Sequence, residues 1–252
     1  MNYNQKKDNS LPRHVVVLTG AGISAESGLG TFRDAGGLWA NHRIEDVATP
    51  EGFIKNPQLV HYFYNQRRAE LQRVAPNAAH HALVDLEAEL EVGMGGGLTL
   101  ITQNVDDLHE RAGSRSVLHM HGELLKARCE ACAAVFPWHR DLGSEDVCIA
   151  CGHSSLRPRI VWFGEVPFHL DAIDAAMARA DLFISIGTSG SVYPAAGLVR
   201  LARTLGVRTV ELNLEPSENH DFFDESHQGP AATIVPAFIA DLLARYKKAR
   251  GA

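Results

Sequence analysis

The sequence has few cysteines and no long apolar run. Only four of its 252 residues are cysteine, and all four lie between Cys129 and Cys151. A disulfide framework would spread cysteines along the chain, so their clustering indicates a metal site instead. No apolar run reaches the roughly 18 residues of a membrane span, and the polar first ten residues lack the apolar segment of a signal peptide. We therefore expect a cytoplasmic protein with no membrane partner.

An excess of positive charge is also lacking. The chain has 24 lysines and arginines against 30 acidic residues, a formal net charge of -6. Such a chain has no general attraction to nucleic-acid phosphates, so nucleic acid is not expected as a principal partner. The length and the 45% hydrophobic content predict one main domain with a substantial core.

Short apolar runs alternate with helical patterns along most of the chain. The first run, His14–Thr19, is rich in β-branched residues and ends at glycines, as a buried parallel strand does before a tight turn. Apolar residues recur at helical spacing from Ala79 to Leu90, with Asn77 available as the cap. This alternation predicts an α/β fold with a doubly wound, Rossmann-like parallel sheet, which binds ligands beyond the carboxyl ends of its strands. The other predicted strands are 98–101, 159–163, 181–186 and 208–212.

The cysteines form two C-x2-C pairs separated by fifteen residues. This spacing is typical of two knuckles around one tetrahedral zinc ion. Four thiolates leave no open coordination position, so the zinc would be structural and not catalytic. A redox-active C-x-x-C pair is the alternative. The proposed ligands are Cys129, Cys132, Cys148 and Cys151.

Two segments interrupt the alternation and predict a smaller lobe. Residues 37–77 have helical character from His61 to Gln72, and residues 124–158 contain the zinc module. We expect a single domain over 1–252. Its Rossmann-like part covers about 13–36, 78–123 and 159–246.

A glycine-rich turn follows the first predicted strand. Gly20, Gly22 and Ala25 fit the dinucleotide-binding pattern G-x-G-x-x-[G/A], in which glycines let the backbone approach a pyrophosphate. A tight strand-to-helix turn without a ligand would read similarly. The acidic residue expected about 20 positions further on is missing, which disfavours a standard dehydrogenase.

Several motifs resemble the sirtuin signature, in the order found in that family. They are 20–28 (GAGISAESG) with Thr31-Phe32-Arg33, 76–80 (PNAAH), 102–106 (TQNVD), 121–123 (HGE), 187–189 (GTS) and 213–215 (NLE). The resemblance runs from about Val15 to Leu243. It implies an NAD-dependent protein deacylase, similar to the bacterial deacetylases and desuccinylases, with one structural zinc ion.

The resemblance also implies the residues that bind NAD. The glycine turn would hold the phosphates, and Phe32 and Arg33 would belong to a cofactor-binding loop. Residues after the later strands would contact the adenosine half. The implied positions are Gly20, Ala21, Gly22, Ser24, Ala25, Phe32, Arg33, Gly187, Thr188, Ser189, Asn213, Leu214, Glu215 and Ala231.

Polar residues after the strand 98–101 complete the implied site. Gln103, Asn104, Val105 and Asp106 lie at its ligand-facing end, although Asn and Asp also cap helices and a capped turn is the alternative. By resemblance, Asn104 holds the reactive ribose and Asp106 meets the nicotinamide amide.

The implied catalytic base is a histidine. His119 and His121 would share one face of a short strand, so spacing does not choose between them. The following Gly122 singles out His121 by matching the sirtuin His-Gly pair. An imidazole can take a proton from a ribose hydroxyl near neutral pH.

Tyr64 and Arg67 lie at i and i+3 of a predicted helix and share a face. A phenol and a guanidinium in an apolar pocket would suit a carboxylate, and this Y-x-x-R pair resembles that of sirtuins that remove succinyl and malonyl groups. An ordinary helix with exposed arginines is the alternative.

A further segment is similar to the one that binds the substrate peptide in this family. It consists of Val161, Trp162, Phe163, Gly164 and Glu165, and it would pair with the acylated peptide as an added strand. The resemblance implies that NAD is consumed and that nicotinamide, O-acyl-ADP-ribose and free lysine are released. ADP-ribosyl transfer to protein and a non-catalytic NAD-responsive binding protein are the alternatives.

Overall fold

The structure is a computed structural model that describes residues 11–30, 42–93 and 95–251. Its strands are β1 (His14–Thr19), β2 (Gly97–Thr102), β3 (Val117–His119), β4 (Gly122–Cys129), β5 (Val135–Pro137), β6 (Leu156–Ile160), β7 (Leu182–Ile186), β8 (Arg208–Asn213) and β9 (Glu225–Gln228). Its helices are α1 (Gly22–Ala25), α2 (Ile44–Val47), α3 (Pro50–Lys55), α4 (Pro57–Leu71), α5 (Ala78–Gly93), α6 (Leu108–Ala112), α7 (Leu170–Met177), α8 (Leu198–Thr204) and α9 (Ala231–Arg250). Short 3-10 turns cover Ala195–Gly197 and His220–Phe222.

The large sheet has the strand order β3-β2-β1-β7-β8-β9, and every neighbouring pair is parallel. β1 lies inside the sheet, with Val15 opposite Leu98 of β2 and Leu182 of β7. In chain order, β1, β2 and β3 run from the centre of the sheet to one edge, and β7, β8 and β9 run from the centre to the other edge. The carboxyl ends of these two strands therefore open the crevice in which such sheets bind ligands.

Side chains alternate between the two faces of the sheet, and both faces are covered. Val15 and Val17 of β1 pack in a core with α5 and α9, whereas Val16 and Leu18 pack in a second core with α7 and α8. Asn77 caps α5 as expected, because its Oδ1 accepts the Ala79 N–H at 2.9 Å. The doubly wound, Rossmann-like parallel sheet predicted from the sequence is confirmed.

A smaller lobe consists of a three-stranded antiparallel sheet and helices. β4 lies between β5 and β6 in this sheet, and its pairing with β6 is irregular between Glu123 and Ala127. Helices α2 and α4 contribute Val47, Phe63 and Tyr64 to a third core. The lobe forms one wall of the cavity described below.

The predicted strand 159–163 is wrong in its bounds and its sheet. The strand is β6, which ends at Ile160 and pairs antiparallel with β4. Beyond it the Val161 N–H donates to the His121 carbonyl and the Trp162 N–H to a Glu165 carboxylate oxygen, so the chain turns. The sequence did not predict β9. β3 ends at His119, so His121 lies in the turn before β4 and does not share a strand face with His119.

Among the described residues, no helix combines the length and the apolar character that crossing a membrane requires.

Candidate functional site

The glycine turn packs against the end of β7. The Gly20 N–H donates to the Ile186 carbonyl at 2.9 Å and the Gly22 N–H to the Gly187 carbonyl at 2.8 Å. A Cβ on Gly20 would lie 2.7 Å from the Gly187 oxygen, and one on Gly22 would lie 2.7 Å from the Gly187 Cα. These contacts explain the two glycines without a ligand. They also place the turn, with Ala21 and Ala25, at the crevice between β1 and β7.

Three polar side chains form a buried network beside this turn. Asn104 Nδ2 donates to Ser24 Oγ at 3.2 Å, and Ser24 Oγ donates to Asp106 Oδ2 at 3.1 Å. The other oxygen of Asp106 accepts the Leu108 N–H at 3.1 Å, so Asp106 also caps the start of α6. Burial raises the pKa of Asp106, although these hydrogen bonds oppose the rise. Asn104 and Asp106 thus hold fixed positions at the end of β2.

Other polar groups join the ends of neighbouring strands. Gln103 Nε2 donates to Thr188 Oγ1 at 2.9 Å, and Asn213 Nδ2 donates to the Thr188 carbonyl at 2.8 Å. Thr188 therefore connects the ends of β2, β7 and β8. The remaining positions implied for adenosine binding follow β7, β8 or β9 at the same edge: Gly187, Ser189, Leu214, Glu215 and Ala231.

His121 lies half-buried between β3 and β4, and its carbonyl accepts the Val161 N–H at 2.9 Å. Burial lowers the pKa of His121 below its ordinary value of 6.5, and a hydrogen bond to the Gln103 backbone opposes this shift. The imidazole is consequently neutral at neutral pH, as a general base must be.

A cavity of about 350 Å³ lies between the parallel sheet and the smaller lobe. Arg67 of α4 and Asp106 line it together with Val105 and Leu124. A positive and a negative side chain therefore border the same cavity. Phe32 and Arg33, which the sequence placed in a cofactor loop, lie outside the described residues.

Tyr64 and Arg67 differ in exposure. Tyr64 is only 1% exposed, and its phenolic oxygen accepts the Trp162 indole N–H at 2.9 Å. Burial raises the pKa of Tyr64 to about 12. Arg67 is half-buried, and burial lowers its pKa from the ordinary value. The alternative, an ordinary helix with exposed arginines, does not describe α4. The neighbouring Arg68 is fully buried and donates to the Leu124 carbonyl at 3.0 Å.

The segment from Val161 to Glu165 is held by a partly buried ion pair. Arg157 donates to both carboxylate oxygens of Glu165, at 2.7 and 2.8 Å, and its guanidinium lies 3.4 Å from the centroid of the Trp162 ring. Trp162 is buried, whereas Phe163 and Gly164 are exposed. The side chains of Trp162 and Glu165 are thus engaged within the protein, and Phe163 and Gly164 face outward.

The four cysteine sulfurs lie within 4.8 Å of one another. Cys129 Sγ is 3.7 Å from Cys151 Sγ, and Cys132 Sγ is 3.6 Å from Cys148 Sγ. Four sulfurs bound to one zinc ion at about 2.3 Å would be about 3.8 Å apart, so the cluster fits a structural zinc ion. The contacts join the two C-x2-C pairs into one group, which disfavours the redox alternative.

Sequence reasoning missed two contacts at this site. Tyr64 meets Trp162, 98 positions away, and His119 bonds to Glu110 and to the Asn104 carbonyl. No local pattern indicates the first contact, since it arises where α4 packs against the segment after β6. The second had one signal, the His-x-His spacing, but that spacing does not indicate which groups His119 contacts.

Comparisons with known proteins agree with this geometry. Residues 20–194 match the model of the Sir2 family. The chain is 56% identical to the NAD-dependent protein deacylase of Pasteurella multocida, covering 91% of this chain and 97% of that protein. It is 59% identical to the enzyme of the same name from Yersinia pseudotuberculosis, covering 91% and 82%.

Solved structures are similar over nearly the whole chain. A complex of a Sir2 homolog with NAD superposes with a TM-score of 0.83 at 38% identity, covering 93% of this chain and 91% of that chain. A Sir2 protein with a deacetylated p53 peptide and 3′-O-acetyl ADP-ribose gives a TM-score of 0.76 at 29% identity, covering 91% and 94%. Because the family model covers more than half of the chain and close relatives match nearly all of it, the chain belongs to the Sir2 family.

Proposed function

We propose that this chain is an NAD-dependent deacylase of protein lysines. The observation that carries the proposal is the hydrogen-bond network of Asn104 and Asp106 with Ser24, directly after the glycine turn at the crevice between β1 and β7. His121 lies near this network, since its side chain bonds to the Gln103 backbone. The names of the two bacterial relatives support the same reaction. Acylated lysine side chains of proteins, NAD and water are the substrates, and the products are nicotinamide, O-acyl-ADP-ribose and free lysine.

Different residues of the chain have different roles in the reaction. When bound, NAD supplies a ribose that parts from nicotinamide and receives the acyl group. The glycine turn and Ser24 hold the phosphate region, Asn104 holds the reactive ribose, and Asp106 meets the nicotinamide amide. His121, neutral because burial lowers its pKa, takes the proton from the ribose hydroxyl.

Phe32 and Arg33 stay proposed as cofactor-binding residues on the strength of the sequence motif. The adenosine half would lie along Thr188 and Asn213, which already bond to each other at the carboxyl edge of the sheet. The boundaries given above for the Rossmann-like part, the helical insertion and the zinc module stay predictions, as does a cytoplasmic location.

We propose that acidic acyl groups, succinyl and malonyl, are accepted beside acetyl. Arg67 borders the cavity next to Asp106, and its guanidinium is suited to a carboxylate. Trp162 donates to the Tyr64 oxygen, which leaves the phenolic hydrogen to donate to an acyl oxygen. The peptide would bind along the segment from Val161 to Glu165, at which Phe163 and Gly164 are exposed.

The first experiment is mass spectrometry of matched acetyl-lysine and succinyl-lysine peptides, incubated with the protein with and without NAD. NAD-dependent loss of an acyl group together with formation of O-acyl-ADP-ribose is expected. A mass increase of ADP-ribose on the peptide would instead indicate transferase activity. With no change in either peptide, the non-catalytic binding protein would be the better interpretation.

Two variants test the assigned roles. His121→Ala should abolish deacylation while NAD still binds, and an undiminished rate would refute the role of His121 as base. Arg67→Met keeps the unbranched stem of the side chain without the charged guanidinium, and it should reduce removal of succinyl far more than removal of acetyl. Equal losses for both acyl groups would refute the acidic pocket without affecting the proposed reaction.

A further inference from the structure

His119 holds both of its ring nitrogens against hydrogen-bond acceptors. Nδ1 is 3.2 Å from the main-chain carbonyl oxygen of Asn104, and Nε2 is 2.6 Å from a carboxylate oxygen of Glu110. A neutral imidazole has one donor and one acceptor nitrogen, whereas a carbonyl and a carboxylate only accept. Both hydrogen bonds therefore form together only when the ring is an imidazolium.

The surroundings favour this charge despite burial. The His119 side chain is 6% exposed, while that of Glu110, on α6, is 41% exposed. Burial alone would lower the pKa of His119, but the carboxylates of Glu110 and Glu123 raise it above the ordinary value. His119 in turn lowers the pKa of Glu110, which keeps that partner ionised. In the described part of the chain, the titratable groups that act electrostatically on this ring are Glu110, Glu123, Asp106, His109 and His169, and Lys126 acts on Glu110 and His169.

The imidazolium connects the two segments that carry the proposed reaction. His119 ends β3 two residues before His121, and its register partner is Thr102 at the end of β2. Asn104 follows two residues after Thr102, and its side chain donates to Ser24 at the crevice. The bond from His119 thus fixes the main chain of the residue whose side chain would hold the ribose.

We propose that His119 is a positioning residue for the deacylation: as an imidazolium it anchors the Asn104 main chain, and this anchor is released when the ring loses a proton. The proposal rests on the proposed function. The proton between Nε2 and the carboxylate is held most strongly, so alkaline pH removes the proton on Nδ1. The lone pair of Nδ1 then faces the Asn104 carbonyl oxygen, and the two groups repel each other.

Replacement of Glu110 by Gln separates the charge from the hydrogen bond. The amide of Gln can donate to Nε2, so in Glu110→Gln a neutral ring keeps its N–H directed at Asn104. The rate of wild-type deacylation should therefore fall on the alkaline side through the titration of His119, and in Glu110→Gln this fall should be missing. Glu110 is partly exposed on a short helix, so this variant is expected to fold.

Substitutions of His119 itself give a matched pair. His119→Asn places an amide N–H near the position of Nδ1, whereas His119→Phe has no donor. We expect kcat/KM to fall about tenfold in His119→Phe, the effect of one lost charge-assisted hydrogen bond, and to stay within about threefold of wild type in His119→Asn. His81→Asn, at an exposed histidine of α5, is the control and should match wild type.

Nitrogen-15 NMR of the zinc-loaded, histidine-labelled protein reads the ring directly. At pH 7 both nitrogens of His119 should carry protons in the wild type, and the pKa of the ring should be lower in Glu110→Gln. A neutral His119 at pH 7, or identical pH profiles of wild type and Glu110→Gln, would overturn the proposal while deacylation itself stands. If the wild type shows no NAD-dependent deacylation, the proposed function fails first and the positioning role fails with it.

Discussion

At some positions of the crevice, two backbone segments lie in direct contact, and no space is left there for a side chain. Gly187 has a φ of +61°, and a Cβ there would lie 2.5 Å from the backbone nitrogen of Ile23. The glycine turn and the end of β7 are therefore set by steric exclusion before any ligand arrives.

Replacement of Gly187 by Ala should destabilise the fold strongly. The left-handed conformation costs about 1–2 kcal/mol for a residue with a Cβ, and the clash adds about 1–3 kcal/mol. Gly206→Ala is the matched control, because Gly206 has a similar φ of +73° but a Cβ there would have no other atom within 4 Å. Urea unfolding measures both free energies, and equal losses in the two variants would contradict a steric role for Gly187.

The pH dependence of deacylation should show the neutral state of His121. Burial puts its pKa below 6.5, so the base is neutral and active above that lower value. As pH falls, kcat/KM should therefore drop with a midpoint below pH 6.5. A midpoint above 6.5 in peptide assays would show that another group, or a His121 stabilised in its charged form, controls the acid limb.

At the scale of elements, the smaller lobe depends on metal for part of its order. β4 and β6 are adjacent, and the cysteines lie at the end of β4 and in the loops between β4 and β6. The associated core is small, built on residues such as Trp138, Leu142 and Leu156. Zinc binding should therefore contribute much of the folding free energy of this module.

Replacement of Cys129 and Cys148 by Ala should remove the zinc and loosen residues 122–160. Elemental analysis should change from one zinc ion per chain to none, and amide hydrogens in this range should exchange faster than in the wild type. His153→Ala is the control, since His153 is exposed next to Cys151 without belonging to the cysteine cluster. Retention of one zinc ion with a folded module in the double variant would refute the assignment.

Strands differ in how clearly the sequence predicts them. β1 and β7 are apolar on both faces and are predicted, because burial on both sides leaves a continuous apolar run. β9 is missed because it is an edge strand whose residues are half-buried or exposed. The 159–163 prediction fails because the apolar residues Val161 and Trp162 belong to a turn, in which the Glu165 side chain replaces a strand partner.

At the scale of the whole molecule, the ligand crevice joins strands from both halves of the chain. Fold, family and the zinc cluster could be predicted, since they depend on spacing and ordered motifs. The contact of Trp162 with Tyr64 could not, because it arises where α4 meets the segment after β6. The roles of the site residues stay predictions.

NAD binding should stabilise the entire chain, because its proposed contacts connect β1, β2, β7 and β8. At a ligand concentration 100 times Kd the gain is about 2.7 kcal/mol, which corresponds to a rise in Tm of about 5–10 °C for a chain of this size. Thermal unfolding is measured without ligand, with NAD and with ADP-ribose. ADP-ribose lacks nicotinamide and therefore serves as the matched comparison. An unchanged Tm with saturating NAD would contradict binding at the crevice.

The position of β1 has a consequence for biosynthesis. Val15 lies between Leu98 and Leu182, so its second neighbour is made 167 positions after it. At translation rates of about 5–20 residues per second, roughly 8–33 s pass between the synthesis of β1 and that of β7. Until β2 is made, β1 has no strand partner, and until β7 is made it has only one, so its apolar residues stay accessible to other molecules. The strand made first is thus completed only after β2 to β6 have been made.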